Sequence, residues 1–373
     1  MNTNPIIILH DLNGKPYYEA IEHLAKLNSI KISYYESSVV KLLIRHIIKE
    51  GFGSTAIKKT LENIFFRLKA PLIRDKTIII GMSPYDFRII WYKYLLKHNN
   101  LILSTSHPFW ENDNRAPRKY SLFTFIAKSY WKRFLEDEKL KIVTVTKKAF
   151  NSLNNNFKIY GKISQIYHCV DTTNFKAQYH KTNDIIKILF VGKFLKSKGL
   201  DTIVELIGKM DPNKFFFTFV GEGEYKKNIE HVFTKRNVIY LGFIDGKRTL
   251  SEIYNDHHFF LNLSIKQDKW EELFGIVNIE AMASGLIVIA SNHTGPSEII
   301  QNGINGYLVK ESDSDAVIDI IIDLTNNWNK YMQILNNATR YVQQFSKISI
   351  AQQWSDMIDT LTTNDGQSRL TNS

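Results

Sequence analysis

Residues 186–200 read IKILFVGKFLKSKGL, and three patterns follow one another within them. Ile186 to Val191 is a β-branched and aromatic run, the composition of a strand buried on both faces. Gly192 ends it. A basic loop carries Lys193 and Lys198, and Gly199 opens LDTIVELIGKM, whose apolar residues recur at helical spacing. Strand, loop and helix in this order make one unit of a parallel α/β layer. Ligands bind beyond the carboxyl ends of such strands. Two ammonium groups there, beside a helix N-terminus, form a candidate phosphate site. A solvated lysine loop is the plainer reading, and the motif alone does not separate the two.

The same alternation fills the chain. Strand-like runs occur at 5–10, 30–36, 76–82, 100–106, 141–146 and 163–168, then at 186–192, 215–221, 237–242, 258–264, 286–291 and 306–309. Helical patterns separate them, as in 15–28, 316–328 and 350–361. The α/β pattern thus occurs twice, and 373 residues suffice for two cores. The polar stretch 168–184 predicts a boundary, giving a first domain over 1–180 and a second over 181–347. The helix at about 348–362 is expected to pack back on the first domain. The polar tail 363–373 is expected to be disordered.

Composition is that of an ordinary soluble protein, 44% hydrophobic and 23% charged. The single cysteine excludes an intramolecular disulfide and fits a reducing compartment. The N-terminus lacks a basic leader, and no run reaches the ~18 apolar residues of a membrane span. These features predict a cytoplasmic protein. Charge is unevenly placed, with residues 1–184 carrying about +14 and residues 185–373 about −3. That asymmetry points the first half toward a polyanionic partner. Segment 41–76 mixes Lys and Arg with Leu, Ile and Phe, as basic amphipathic helices on anionic membranes do. Solvated surface helices are the alternative. No helix-turn-helix, zinc-finger or RNP pattern supports nucleic-acid binding.

Five further loops follow strands. EELFGIVNIEAMASG (271–285) places Glu272 before a helix expected from Phe274 or Gly275 to Ser284, with Glu280 about two turns along. The N–H groups of Gly275, Ile276 and Val277 would face an anion. Helix capping is the structural alternative for Glu272, and a buried ion pair for Glu280. In VGEGEY (220–225) the third glycine of a dinucleotide fingerprint is missing, so it reads as a tight strand-to-helix turn. At Gly295 the backbone is expected to approach a ligand, as at Gly14 in DLNGK. His107 ends the fourth strand. The pair Asp313 and Asp315 looks like a metal motif but precedes a helix, where Asp caps. No other cluster has metal-ligand spacing.

Together these motifs resemble the family 4 retaining glycosyltransferases, which have the GT-B fold. The resemblance rests on Glu272, Phe274, Gly275 and Glu280, the AMASG run, Lys193 with Lys198-Gly199, the GEG turn, LGF at 241–243, GPSEII at 295–300 and NGINGYLV at 302–309. It covers about 120 residues of the second half; the first half matches only through DLNG, His107, VTVT and HCVD. Leu273 and Ile287 depart from the family pattern, and Lys193 stands where arginine is commoner, keeping the charge without the bidentate geometry.

The resemblance implies two Rossmann-like domains facing across a cleft, and a UDP- or GDP-sugar donor. Lys193, Lys198 and the helix at 274–284 would stabilise the leaving diphosphate without a metal or cofactor. Glu280 would hold the ribose, Glu272 the sugar, and Phe274, Gly275, Ile276, Val277, Gly14 and Gly295 would lie around the donor. His107 would meet the sugar or acceptor from the first domain. The acceptor would be a glycan or lipid-linked glycan, in surface polysaccharide or lipopolysaccharide synthesis at the inner membrane face. A catalytically silent GT-B subunit and a two-carboxylate glycosidase are the alternatives.

Overall fold

The computed structural model describes residues 4–11, 14–36, 54–110, 124–159, 161–178, 185–267 and 270–370. All twelve expected strands form. In the first sheet they are β1 (Ile6–His10), β2 (Ile32–Glu36), β3 (Thr77–Gly81), β4 (Asn100–Thr105), β5 (Leu140–Thr144) and β6 (Ile163–Gln165). They lie parallel in the order β2-β1-β3-β4-β5-β6. In the second sheet they are β7 (Ile186–Val191), β8 (Phe215–Val220), β9 (Val238–Tyr240), β10 (Phe259–Asn262), β11 (Ile287–Ser291) and β12 (Tyr307–Val309). These are also parallel, in the order β12-β11-β10-β7-β8-β9.

Strands β3 and β11 are buried at every residue, as parallel strands covered on both faces must be. The helices that cover them follow the strands. In the first unit they are α1 (Glu19–Leu27), α2 (Ser54–Lys69), α3 (Thr124–Leu135) and α4 (Lys147–Asn156). In the second they are α5 (Leu200–Lys209), α6 (Lys247–Asn255), α7 (Ile276–Ala283), α8 (Thr294–Ile299), α9 (Ser314–Asn326) and α10 (Trp328–Tyr341), and α11 (Lys347–Leu370) ends the described chain. Each sheet has its own core. One centres on Ile78, Ile80, Leu103, Trp131 and Phe134, the other on Phe194, Phe217, Phe219, Phe259 and Ile289.

The chain divides into one unit of Met1–His168 with Ile350–Ser373 and another of Cys169–Ser349. The division falls ahead of the boundary expected at 180. The reason lies in where residues 169–178 make their bonds. Val170 N–H donates to Phe345 O at 2.8 Å, Lys347 N–H donates to Val170 O at 3.0 Å, and Lys347 pairs with Asp171 at 2.9 Å. Phe175 packs edge-on to Tyr254. These contacts assign residues 169–178 to the second unit.

The C-terminal helix also departs from expectation. It runs to Leu370, through polar residues expected to be disordered. A helix nucleated over its buried residues, Ile350 to Leu361, extends at one hydrogen bond per added residue. Residues 37–53, which include the first third of the basic stretch at 41–76, lie outside the described residues.

Candidate active site

In the second sheet the strand order reverses between β7 and β10. That switch point is where open α/β sheets form a binding crevice, because the connections leave β7 and β10 in opposite directions. The lysine loop follows β7, and the Glu272 segment follows β10. Backbone contacts lock the two loops together. Gly199 has φ +66°, and a Cβ on it would lie 1.7 Å from Leu263 O, so only glycine fits. Ile265 N–H donates to Ser197 O at 2.8 Å. On the other side Phe194 N–H donates to Glu222 O at 2.9 Å, which makes the GEG segment a packing turn against the lysine loop.

This locking brings Lys198 onto Glu272, with their ammonium and carboxylate in a short hydrogen-bonded ion pair. Both side chains are largely but not fully buried, at 19% and 12% exposure. The Lys198 ammonium also lies 4.9 Å from the Trp270 ring centroid, a cation–π contact. Ser264 Oγ lies within hydrogen-bond reach of two acceptors, Asn262 Oδ1 at 3.1 Å and Glu272 at 3.3 Å, which share its one O–H. Asn262 in turn donates to Asn278 Oδ1 at 3.0 Å. Lys193 is exposed, one residue past the end of β7's turn glycine, and makes no ion pair among the described residues.

Helix α7 starts at Ile276, two residues later than the earliest start expected. Gly275 is its N-cap, in the left-handed region at φ +75°. In the first turn the N–H groups of Ile276 and Val277 have no acceptor within the helix, while Asn278 N–H donates to Gly275 O at 2.8 Å. The later start corrects the position of Glu280, which stands one turn along the helix rather than two. Tyr254 Oη donates to Glu280 at 3.4 Å. Burial, and then the Glu280 charge, raise the Tyr254 hydroxyl well above its ordinary pKa, so it remains a donor. The half-buried Glu280 is therefore held by a tyrosine hydroxyl.

Two expected ligand contacts turn inward instead. The Phe274 ring is 3% exposed and packs against Phe345, so its side chain anchors the loop to the core. Gly295 accommodates the chain itself: a Cβ there would come within 2.4 Å of Phe274 N, and its N–H donates to Glu272 O at 3.1 Å.

Sequence reasoning missed His293, which follows β11. It is buried at 1% exposure. Its Nδ1 accepts from Glu272 N–H at 3.2 Å, so its proton sits on Nε2, which meets Glu311 at 2.9 Å. Burial lowers its pKa, with Glu311 opposing. Glu271 accepts from Thr294 Oγ1 at 2.9 Å and lies 3.8 Å from Lys266. Position directly after a parallel strand was the available signal for Ser264 and His293. Nothing local marked Tyr254.

Gly14 and His107 belong to the first unit. Both follow strands at the carboxyl end of the first sheet, after β1 and β4. Gly14 lies against the His10 side chain, which a Cβ would meet at 2.8 Å. His107 donates its N–H to Thr105 Oγ1 at 3.2 Å and lies edge-on to Phe109 and Trp110. Between β1 and β3, this sheet's own switch point, Asp11 accepts from Ser83 N–H and Oγ at 3.1 and 3.0 Å. Asp11 also pairs with Arg88 at 2.5 Å. Burial opposes the Arg88 charge, but Asp86 and Asp11 hold it above its usual range. This network escaped the sequence reading.

Asp313 caps α9 by accepting from Ala316 N–H at 3.1 Å. Among the described residues no group of three or more His, Cys, Asp or Glu is placed to hold a metal ion.

Two parallel six-stranded sheets in these orders, flanked by helices, define the GT-B fold of solved glycosyltransferases. HepE from Anabaena, solved in complex with UDP and glucose, matches with a TM-score of 0.69 at 17% identity, over 96% of this chain and 100% of that one. Sucrose-phosphate synthase from Thermosynechococcus elongatus matches with a TM-score of 0.70 at 17% identity, over 97% and 100%. At these identities the likeness establishes the fold alone.

The segment that carries the site, residues 171–341, matches the family described as glycosyl transferases group 1. An uncharacterized 41.2 kDa protein in the cps region of Klebsiella pneumoniae is 34% identical over 146 residues, 39% of this chain and 38% of that protein. An uncharacterized glycosyltransferase of Methanocaldococcus jannaschii is 28% identical over 218 residues, 58% of each. The capsular polysaccharide biosynthesis glycosyltransferase CapM of Staphylococcus aureus is 25% identical over 197 residues, 51% of this chain and 50% of CapM. The chain thus spans about half the length of the curated relatives it matches.

Proposed function

We propose that this protein is a retaining, metal-independent glycosyltransferase of the family 4 type. It moves a sugar from a nucleotide-sugar donor to a glycan or lipid-linked acceptor. The observation that carries this reading is the Lys198–Glu272 pair at the switch point, beside the N-terminus of α7. As the glycosidic bond breaks, negative charge grows on the leaving diphosphate. Lys193, Lys198 and the first-turn N–H groups of α7 stabilise that charge more than they stabilise the ground state. Lys198 is half-neutralised by Glu272 at rest. When the carboxylate turns to a sugar hydroxyl, the ammonium is released to the phosphate.

In this reading Glu280, positioned by Tyr254, accepts from the ribose hydroxyls. His107 is the first unit's candidate catalytic residue in this reading. The donor is a UDP- or GDP-sugar, and the UDP in the HepE structure favours uridine. Retention follows from attack on the face the diphosphate leaves. Its place is in surface polysaccharide or lipopolysaccharide assembly, and the names of CapM and of the Klebsiella relative support the capsular polysaccharide branch.

The enzyme works at the cytoplasmic face of the membrane in this reading. Among the described residues no helix is long and apolar enough to cross a membrane. Helix α2 instead exposes Leu61, Ile64, Phe65 and Leu68 along one stripe, with Lys58 and Lys69 exposed beside it. An apolar stripe flanked by cations suits shallow insertion into an anionic surface. The deciding experiment is nucleotide release from UDP-, GDP- and ADP-sugars with a lipid-linked acceptor. Release from one donor, with the product anomer matching the donor's, is the expected result. No release from any donor, with or without acceptor, overturns the proposal in favour of a silent subunit.

A further inference from the structure

The other end of the first sheet carries a second concentration of charge. Because β1, β3, β4 and β5 are parallel, the residues entering them converge at one end, away from the loops described above. Arg74 and Lys76 precede β3, Lys97 precedes β4, Lys139 precedes β5, and Lys141 is its second residue. All five line one hollow of about 550 Å³, within the range of small-molecule sites. Leu361 of α11 and the amides Asn4, Asn99 and Asn100 also line it.

The wall is built rather than loose. Asn99 accepts from Lys76 N–H at 3.1 Å and donates to Ile73 O and Leu95 O at 2.8 and 2.9 Å. Asp75 N–H donates to His98 O at 2.9 Å, and Asn100 N–H to Lys76 O at 2.9 Å. None of the five cations makes an ion pair among the described residues, and Asp75 and Glu138 are the only acids in the lining. Like charges gathered around a concavity repel one another, and five cations against two acids leave the lining with a net positive charge. The His98 imidazole registers the crowding. Its pKa is lowered first by desolvation and then by Arg74, Lys97 and Lys139, with Asp75 opposing.

We infer that this hollow is a binding site for a phosphate-bearing anion, separate from the diphosphate site proposed in the second unit. Two sources carry that chemistry, a free phosphate compound and a phospholipid headgroup. The site stands whether or not the donor reading does.

The test uses the full chain and the variant Lys97→Gln/Lys139→Gln/Lys141→Gln, with the corresponding triple arginine variant as the control for folding. Pyrophosphate is titrated by calorimetry, and flotation is measured with phosphatidylcholine vesicles with and without phosphatidylglycerol. Loss of pyrophosphate affinity by at least about tenfold in the glutamine variant, kept in the arginine variant and in Lys198→Ala, identifies a free phosphate ligand. Unchanged pyrophosphate binding, with loss of flotation on phosphatidylglycerol vesicles in the glutamine variant alone, identifies a headgroup. Equal pyrophosphate binding and equal flotation in all three proteins overturn the inference. Loss of pyrophosphate binding in Lys198→Ala alone would assign it to the donor site and also overturn it.

Discussion

Lys198 is the residue on which the site turns. Its ammonium is held between the Glu272 carboxylate and the Trp270 ring, so it is pre-placed and needs no ordering when a diphosphate arrives. Lys198→Ala is expected to fold and to lower kcat about 10²–10³-fold, the usual cost of one stabilising donor at a developing anion. Full activity in the folded variant, measured by nucleotide release, would remove Lys198 from the mechanism. Glu280→Ala should raise KM for the donor more than it lowers kcat, since a ribose clamp binds substrate and transition state alike. An unchanged KM would count against the clamp. Gly295→Ala tests the packing. Its methyl group would press into backbone at Leu273–Phe274. A loss of about 1–3 kcal/mol in chemical denaturation is expected, the range for overpacking.

At the scale of elements, the site is a set of loop ends tied by buried polar groups. His293 joins the loop after β11 to the backbone of Glu272. As a neutral Nε2–H tautomer it satisfies that N–H. Protonated, it would present a second donor to it. Its folded pKa is lowered, and that of His168 is lowered to about 4, by burial first. Both groups therefore bind protons more readily unfolded. Their contribution to stability is complete above the unfolded value of about 6.5 and falls as pH drops toward the folded values. Thermal denaturation at pH 7.5 and pH 5 should show the lower Tm at pH 5. The drop should shrink in His293→Gln, which keeps an acceptor without titrating. An equal drop in both proteins would show that His293 does not contribute.

At the scale of the whole molecule, two connections join the units, and they lie side by side. Val170 pairs with Ser346, and Asp171 with Lys347. Burial would raise the Asp171 pKa, but hydrogen bonds from Thr173, Lys347 and Asn174 hold it below the usual carboxylate range. Charge is divided between the halves, about +14 against −3. If the basic half docks on membranes, flotation on anionic vesicles should weaken as salt shortens the Debye length to about 8 Å at 0.15 M. Phe65→Ser/Leu68→Ser should weaken it at every salt concentration. Salt-independent flotation, or flotation untouched by the double substitution, would reject docking through α2.

The fold was legible because its signals are local. A run such as Ile186 to Val191 declares a strand from its own composition, and all twelve such runs form strands. The spacing from Glu272 to Glu280 and the glycines of the lysine loop were legible for the same reason. Other features depended on contacts distant in sequence. Whether residues 169–178 close the first unit or open the second depends on hydrogen bonds to residues 345–347. The inward turn of Phe274, the closeness of Gly295 to Glu272, and the roles of Tyr254 and His293 depend on neighbours 21 to 71 residues away. Lys198 and Glu272 were each visible as charges at loop ends, but 74 residues separate them. Their ion pair exists because β7 and β10 are hydrogen-bonded neighbours in the sheet, a pairing set by the strand order of the whole unit rather than by any property of either loop.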